Sequence, residues 1–202
     1  MEAFGEGLTS IFYRINFKIM GKKYAVIDAK MEEWIGAQKL FFVSTAPLSE
    51  DGLINCSPKG MDSFRVIDER TIAYLDLTGS GVETIAHLKE NGRIVIMMCA
   101  FDGPPKIFRF YGVGEAFEKG SEGFNEMKHL FPEYLGARSI IRVSVETIRD
   151  ACGYAVPHYE YKDERDILDK WTKNKGAEGI AAYQVEQNTQ SLDGLPGLVS
   201  ES

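Results

Sequence analysis

The chain has 202 residues, 44% of them hydrophobic and 26% charged, with a formal net charge of −7. That is enough chain for one single-core domain or a barrel with added helices. The acidic balance argues against a general nucleic-acid binder, whose affinity comes from clustered Lys and Arg, and against attachment to an anionic membrane surface.

Cys56, Cys99 and Cys152 show no paired spacing, which favours a reducing, cytoplasmic setting over a disulfide scaffold. His87, His129 and His158 lack metal-ligand spacing, so no metal site is expected. No apolar run approaches the ~20 residues of a spanning helix. In residues 1–19, Glu2 and Glu6 do not suit a signal or transit peptide. Met20 resembles an alternative start, so residues 1–19 are read as an extension outside the core.

Asp28 is placed to cap a helix running to about Gln38, with Met31, Trp34 and Ile35 on one apolar face. Leu40 to Ala46 is a strand, Glu50-Asp51-Gly52 a turn, and Leu53 to Ser57 the returning strand. Phe64–Ile67 and Thr71–Leu75 form a second strand–turn–strand. Val82, Ile85 and Ala86 then mark a short helix ending near Asn91-Gly92. Arg93 to Ala100 is a buried strand. Lys106 to Phe117 is a long strand whose Gly112 and Gly114 suggest a bend, a bulge or the close approach of a flat ligand. Ser121 caps a helix to Phe131, and Ile140 to Ile148 alternates as a strand. A further helix carries Ile167, Leu168 and Trp171. The polar segment from about Gln184 to Ser202 is expected to drape over the surface or stay mobile. Many strands with few intervening helices indicate a mainly β antiparallel barrel or sandwich with flanking helices.

Candidate chemistry gathers in three places. In Thr78-Gly79-Ser80-Gly81-Val82-Glu83-Thr84, glycines admit close backbone approach, and Thr78, Ser80 and Thr84 carry hydroxyls beside a helix N-terminus. The same residues also read as an ordinary start, with Ser80 capping and Glu83 completing a capping box. Lys59 follows Ser57-Pro58 at a strand end, where proline restricts the backbone, and is a candidate phosphate clamp. Arg109 lies between Phe108 and Phe110 on the opposite strand face, pointing either to solvent or into a polar cleft.

Residues from about Tyr24 to Thr147 resemble the pyridoxamine 5′-phosphate oxidase-related, FMN-binding split-barrel family. The resemblance is carried by Ser57-Pro58-Lys59-Gly60, by the Asp76-to-Asn91 loop and helix, and by Lys106-Ile107-Phe108-Arg109 leading into Gly112. The tail pieces Cys152-Gly153-Tyr154-Ala155-Val156-Pro157 and Asp193-Gly194-Leu195-Pro196-Gly197 are similar to a subgroup of that family. The resemblance implies a six-stranded antiparallel Greek-key split β-barrel over residues 20–150, with residues 151–202 as a helix and tail packing on it. It also implies a homodimer with FMN at the subunit interface.

By that resemblance Lys59 holds the phosphate-contacting lysine position, and Ser80 to Thr84 supply a second contact. Ser57, Thr78, Gly81 and Arg109 complete the cofactor-binding set. Val82, Glu83 and Thr84 stand where better-known members carry Arg or Lys, so Glu83 is expected to point away from the phosphate. The tail lacks the Arg and His residues with which the authentic oxidase grips its substrate, so pyridoxamine phosphate is not assigned as substrate. No side chain is assigned as general acid or base. Cys152 is expected to be a buried structural thiol, or else, with Tyr154, to face the flavin ring. The expectation is an FMN-binding oxidoreductase acting on an unassigned small redox substrate. The alternatives are a non-catalytic flavin-binding protein or a dimeric interaction module on the same scaffold.

Overall fold

The computed structural model describes residues 21–199 of the chain; the extension expected over residues 1–19 lies outside them. Eight strands form one antiparallel sheet: β1 (Lys23–Tyr24), β2 (Phe41–Thr45), β3 (Asn55–Lys59), β4 (Phe64–Asp68), β5 (Thr71–Leu77), β6 (Arg93–Cys99), β7 (Ile107–Glu118) and β8 (Ala137–Ala151). The order along the sheet is β3-β2-β6-β7-β8-β5-β4, and β1 pairs with the far end of β8. The strand count thus exceeds the six implied by the resemblance. The strand missing from the chain-order reading is β1, whose two residues are too few to display a period of 2.

Phe41 on β2 meets Phe64 on β4 and Tyr74 on β5, with ring centroids 5.0 and 5.5 Å apart. Strands from opposite ends of the sheet therefore face each other, and the sheet curls around Val43, Ile72, Ile96, Phe110, Ile141 and Val143. Alternation along β5 and β8 gives these strands a second buried face, where Leu75, Ala137 and Ile140 pack with Phe124 and Phe131.

Helix α1 (Ala29–Ala37) starts where expected, with the Asp28 carboxylate accepting the Met31 amide and with Met31 and Ile35 buried. Helix α2 (Glu83–Asn91) follows β5 and ends on Gly92, whose φ of 70° suits glycine. Helix α3 (Glu122–Met127) is capped by Ser121 and runs into a 3-10 turn at Lys128–Leu130.

The two glycines of β7 serve packing. At Gly112 the ladder to β8 shifts register, and a Cβ there would strike the Ser144 carbonyl oxygen; at Gly114 it would meet Leu88 of α2 at 2.9 Å. The bulge reading holds, and these contacts account for both residues without a ligand.

Helix α4 (Ile167–Asn188) is interrupted at Gly176, where φ is 67°. It runs past Gln184, where the sequence had suggested the start of a polar tail. The residues beyond it fold back on the end of the helix: Gly197 and Leu198 amides donate to the Thr189 and Asn188 carbonyls. No helix among the described residues is long and apolar enough to cross a membrane.

Candidate functional site

The register of β2 with β3 decides which way the candidate lysine points. Lys59, Ser57 and Asn55 lie opposite Phe41, Val43 and Thr45, whose side chains are buried, so this polar row faces inward. Cys56 and Pro58 face out and are exposed. The inward row meets β5 and α2. Lys59 Nζ donates to Asp76 Oδ1 at 2.9 Å. Asn55 Nδ2 donates to Thr84 Oγ1 at 3.0 Å and to Thr45 Oγ1 at 3.2 Å, and Ser57 Oγ donates to Asn55 Oδ1 at 2.8 Å.

Asp76 is the centre of this arrangement. It is fully buried; besides Lys59 it accepts from Arg138 Nε at 2.7 Å and from Ser139 Oγ at 3.4 Å. Burial alone would raise its carboxyl; Lys59 and Arg138 outweigh burial and hold it down at about 2. Two cations surround one carboxylate, so the cluster carries one surplus positive charge. Arg138 is 5% exposed and its Nη1 has no hydrogen-bond partner among the described residues.

The loop from Thr78 to Gly81 continues directly from β5. Thr78 is buried; its hydroxyl donates to the Gly136 carbonyl and accepts from Gln184 Nε2 at 2.7 Å, so it holds the fold. Gly79 and Ser80 are exposed. Val82, not Ser80, occupies the N-cap of α2, and no side chain caps that helix, so the capping box is not formed. Glu83, at the first position of α2, turns back toward the loop. Its carboxylate lies over Gly81, where an added Cβ would strike Oε2, and it accepts the Leu192 amide at 3.4 Å.

Residues 184–198 form a strap over this loop. Asn188 Nδ2 donates to the Gly79 carbonyl at 2.9 Å, and Asp193 accepts the Leu53 amide at 2.9 Å. Lys89 donates to the Gly197 carbonyl, and Gly197 sits against Val82, which a Cβ would meet at 2.8 Å. Beneath the strap, His87 is completely buried with Nδ1 2.9 Å from Thr45 Oγ1 and Nε2 4.0 Å from Asp193. Burial lowers the His87 pKa, and Asp193 pulls the other way.

Within one chain, then, Ser57, Lys59, Thr78, Ser80, Gly81 and Thr84 belong to one region, and Arg109 does not join them. Arg109 lies opposite Met97, which lies opposite Phe42, which lies opposite Pro58, so it shares the outer face of the sheet with Pro58. Cys152, expected to be buried, is exposed. Among the described residues no three His, Cys, Asp or Glu side chains gather as a metal site.

Asp76, Arg138 and Asn55 are the members that the sequence reading missed. The one visible sign was a carboxylate inside the otherwise apolar run of β5.

Residues 27–152 match the family model of pyridoxamine 5′-phosphate oxidase. A pyridoxamine 5′-phosphate oxidase family protein of Aspergillus flavus, ustO, is 35% identical over 196 residues, covering 88% of this chain and 78% of its own. The chain belongs to the pyridoxamine 5′-phosphate oxidase family. Among solved structures it is similar to HupZ of Group A Streptococcus, at 22% identity and a TM-score of 0.48, over 66% of this chain and 99% of that one. It is also similar to an FAD-binding protein of Mesorhizobium loti, at 14% identity and a TM-score of 0.43, over 66% and 99% of the two chains.

The donor set of this family member fits an anionic cofactor group at the Lys59 end. Arg138 alone can balance Asp76, which leaves the charge of Lys59 uncompensated, and the side chain of Lys59 is 22% exposed. Glu83 opposes the same group at the Gly81 end of the loop.

Proposed function

We propose that this protein binds flavin mononucleotide and is a flavoprotein of its family, with an oxidoreductase role on a small substrate other than pyridoxamine phosphate. The phosphate would be held by Lys59 and by the backbone and hydroxyl of Gly79 and Ser80, with Ser57 and Thr84 behind them and Gly81 allowing close approach. Thr78 shapes the loop through its bond to Gly136. Bound flavin supplies the hydride or electron chemistry, and the chain's own residues place it.

The observation that carries this reading is the surplus positive charge left on Lys59 by the Arg138–Asp76 pair. A second copy of the chain completes the site in this proposal. The outer sheet face offers Phe42, Val95 and Met97 half-buried and Tyr111 37% exposed, an apolar row suited to a twofold contact. Arg109 lies on that same face and would reach the cofactor from there.

Replacing Lys59 with Ala is expected to weaken flavin mononucleotide binding by about 1–3 kcal/mol, the range for a hydrogen bond to a charged group. Flavin fluorescence titration measures it, with Lys22→Ala as a control of unchanged affinity. Glu83→Gln should tighten binding in the same titration. Equal affinity of the wild type and Lys59→Ala would end the clamp assignment.

The placement of Glu83 over Gly81 favours one second reading, a dimeric interaction protein that uses the scaffold without flavin. A colourless purified protein that flavin mononucleotide does not turn yellow would select it.

A further inference from the structure

One line of register crosses six strands on the outer face of the sheet. Pro58 lies opposite Phe42, Phe42 opposite Met97, Met97 opposite Arg109, Arg109 opposite Arg149, and Arg149 opposite Lys23. Directly paired residues point to the same side of a sheet. The line is therefore apolar over β3, β2 and β6 and cationic over β7, β8 and β1. Phe108, Phe110 and Ile148, which alternate with these arginines, are buried on the other face. Both arginines are half-buried and Lys23 is exposed, so a molecule on the outer face can reach them.

Like charges directly opposite one another weaken a strand pair, and here three stand in a row in a chain of formal net charge −7. Asp150, next to Arg149 in the chain, lies on the inner face, where it accepts the Lys22 amide at 2.6 Å and the Tyr24 hydroxyl at 2.8 Å. Glu146 is the extra residue of the β8 bulge, beyond Thr147. One rung along from the arginines, Tyr111 lies opposite Thr147, so two hydroxyls adjoin the two guanidinium groups. Planar N–H forks beside hydroxyl donors form a donor set for an oxyanion.

On the reading that Arg109 reaches the flavin from this face, we infer that Arg149, with Arg109, holds an anionic oxygen group of the substrate, a carboxylate or a phosphate, and selects substrates that carry one. Arg149 stands one strand farther than Arg109 from β3 and its Lys59, so it serves the substrate and not the cofactor phosphate. Lys23 extends the positive field to the sheet edge, and the apolar half of the line is left to the second copy of the chain.

The test is amide chemical-shift mapping on the full chain, with and without flavin mononucleotide, titrated at low ionic strength with benzoate, phenyl phosphate and neutral benzamide. At least one anion is expected to shift the amides of Arg109, Tyr111 and Arg149 saturably, the tighter of the two identifying the group, while benzamide leaves them in place. Arg149→Met should weaken anion binding about tenfold or more and leave flavin affinity unchanged. Because it removes a like charge from the row, its thermal midpoint should be no lower than that of the wild type; if the variant does not fold, Arg149→Lys, weakened severalfold, decides. Arg149-dependent shifts in a protein that takes up no flavin keep the anion site and count against the flavin reading alone. Absence of saturable shifts with both anions, equal shifts with benzamide, undiminished binding to Arg149→Met, or an equal loss of flavin affinity in that variant overturns the assignment.

Discussion

The interior against the curled sheet is filled in two different ways. Around Val43, Ile96 and Phe110 it holds apolar side chains that need only shape. Beneath α2 and the strap it holds Asn55, Ser57, Lys59, Asp76, Thr84, His87 and Arg138, which need partners. Four buried side-chain atoms lack a partner among the described residues: Tyr74 Oη, His87 Nε2, Arg138 Nη1 and Asn188 Oδ1. Arg138 contacts Asp76, His87 belongs to α2, and Asn188 belongs to the strap. A fold stabilised by packing alone has no use for such atoms, so the polar region is where ligand chemistry is to be sought.

The two regions should respond differently to substitution. The largest effect is expected from Asp76→Ala, which strands Arg138 without its counter-charge; breaking a buried pair this way costs about 3–5 kcal/mol, to be read from urea denaturation. Acid gives the same contrast without a mutation. The Asp76 carboxyl sits at about 2 in the fold against an ordinary 3.8. Its folded value is depressed, so its stabilisation is complete above the ordinary value and is lost as pH falls from about 4 through about 2. An Asp76→Asn variant should lack that acid limb in its unfolding midpoints.

Gly197→Ala tests the strap. Its methyl group would strike the Asn188 carbonyl and crowd Val82, and overpacking of that kind costs about 1–3 kcal/mol. The expected readout is faster hydrogen exchange at the Leu198 amide with the sheet amides unchanged.

On the apolar side, Ile96→Val should cost only about 0.5–1.5 kcal/mol, with no change in the acid limb. Smallest of all, Ser80→Ala at an exposed position should stay within about 0.5 kcal/mol in stability. A large loss there would place Ser80 inside the hydrogen-bonded network and blur the contrast.

Most strands and their turns were legible because they are runs rich in apolar or β-branched residues closed by Gly, Pro, Asp or Asn, which two-residue β1 is too short to be, and Asp28 and Ser121 announce their helices by capping. Lys59 could be singled out because Pro58 stiffens the chain before it. Asp76 and Arg138 could not be paired in advance. They stand 62 positions apart, both just outside the strands read from the sequence, and only the antiparallel register of β5 with β8 brings them together. The inward turn of Lys59 and the outward turn of Arg109 were hidden for the same reason: a strand face is assigned by register, which is a property of two strands. The strap left little trace, because much of its anchoring runs through backbone amides and carbonyls and through the bare Cα of Gly197.

That strap also bears on the order in which the molecule is made. Strands β3 and β5, helix α2 and the start of β8 all leave the ribosome before Asn188 to Leu198 do. A nascent chain can therefore assemble Lys59, Asp76 and Arg138 while Gly79 and Val82 are still bare. The cover is added to a pocket whose charged floor is already in the chain.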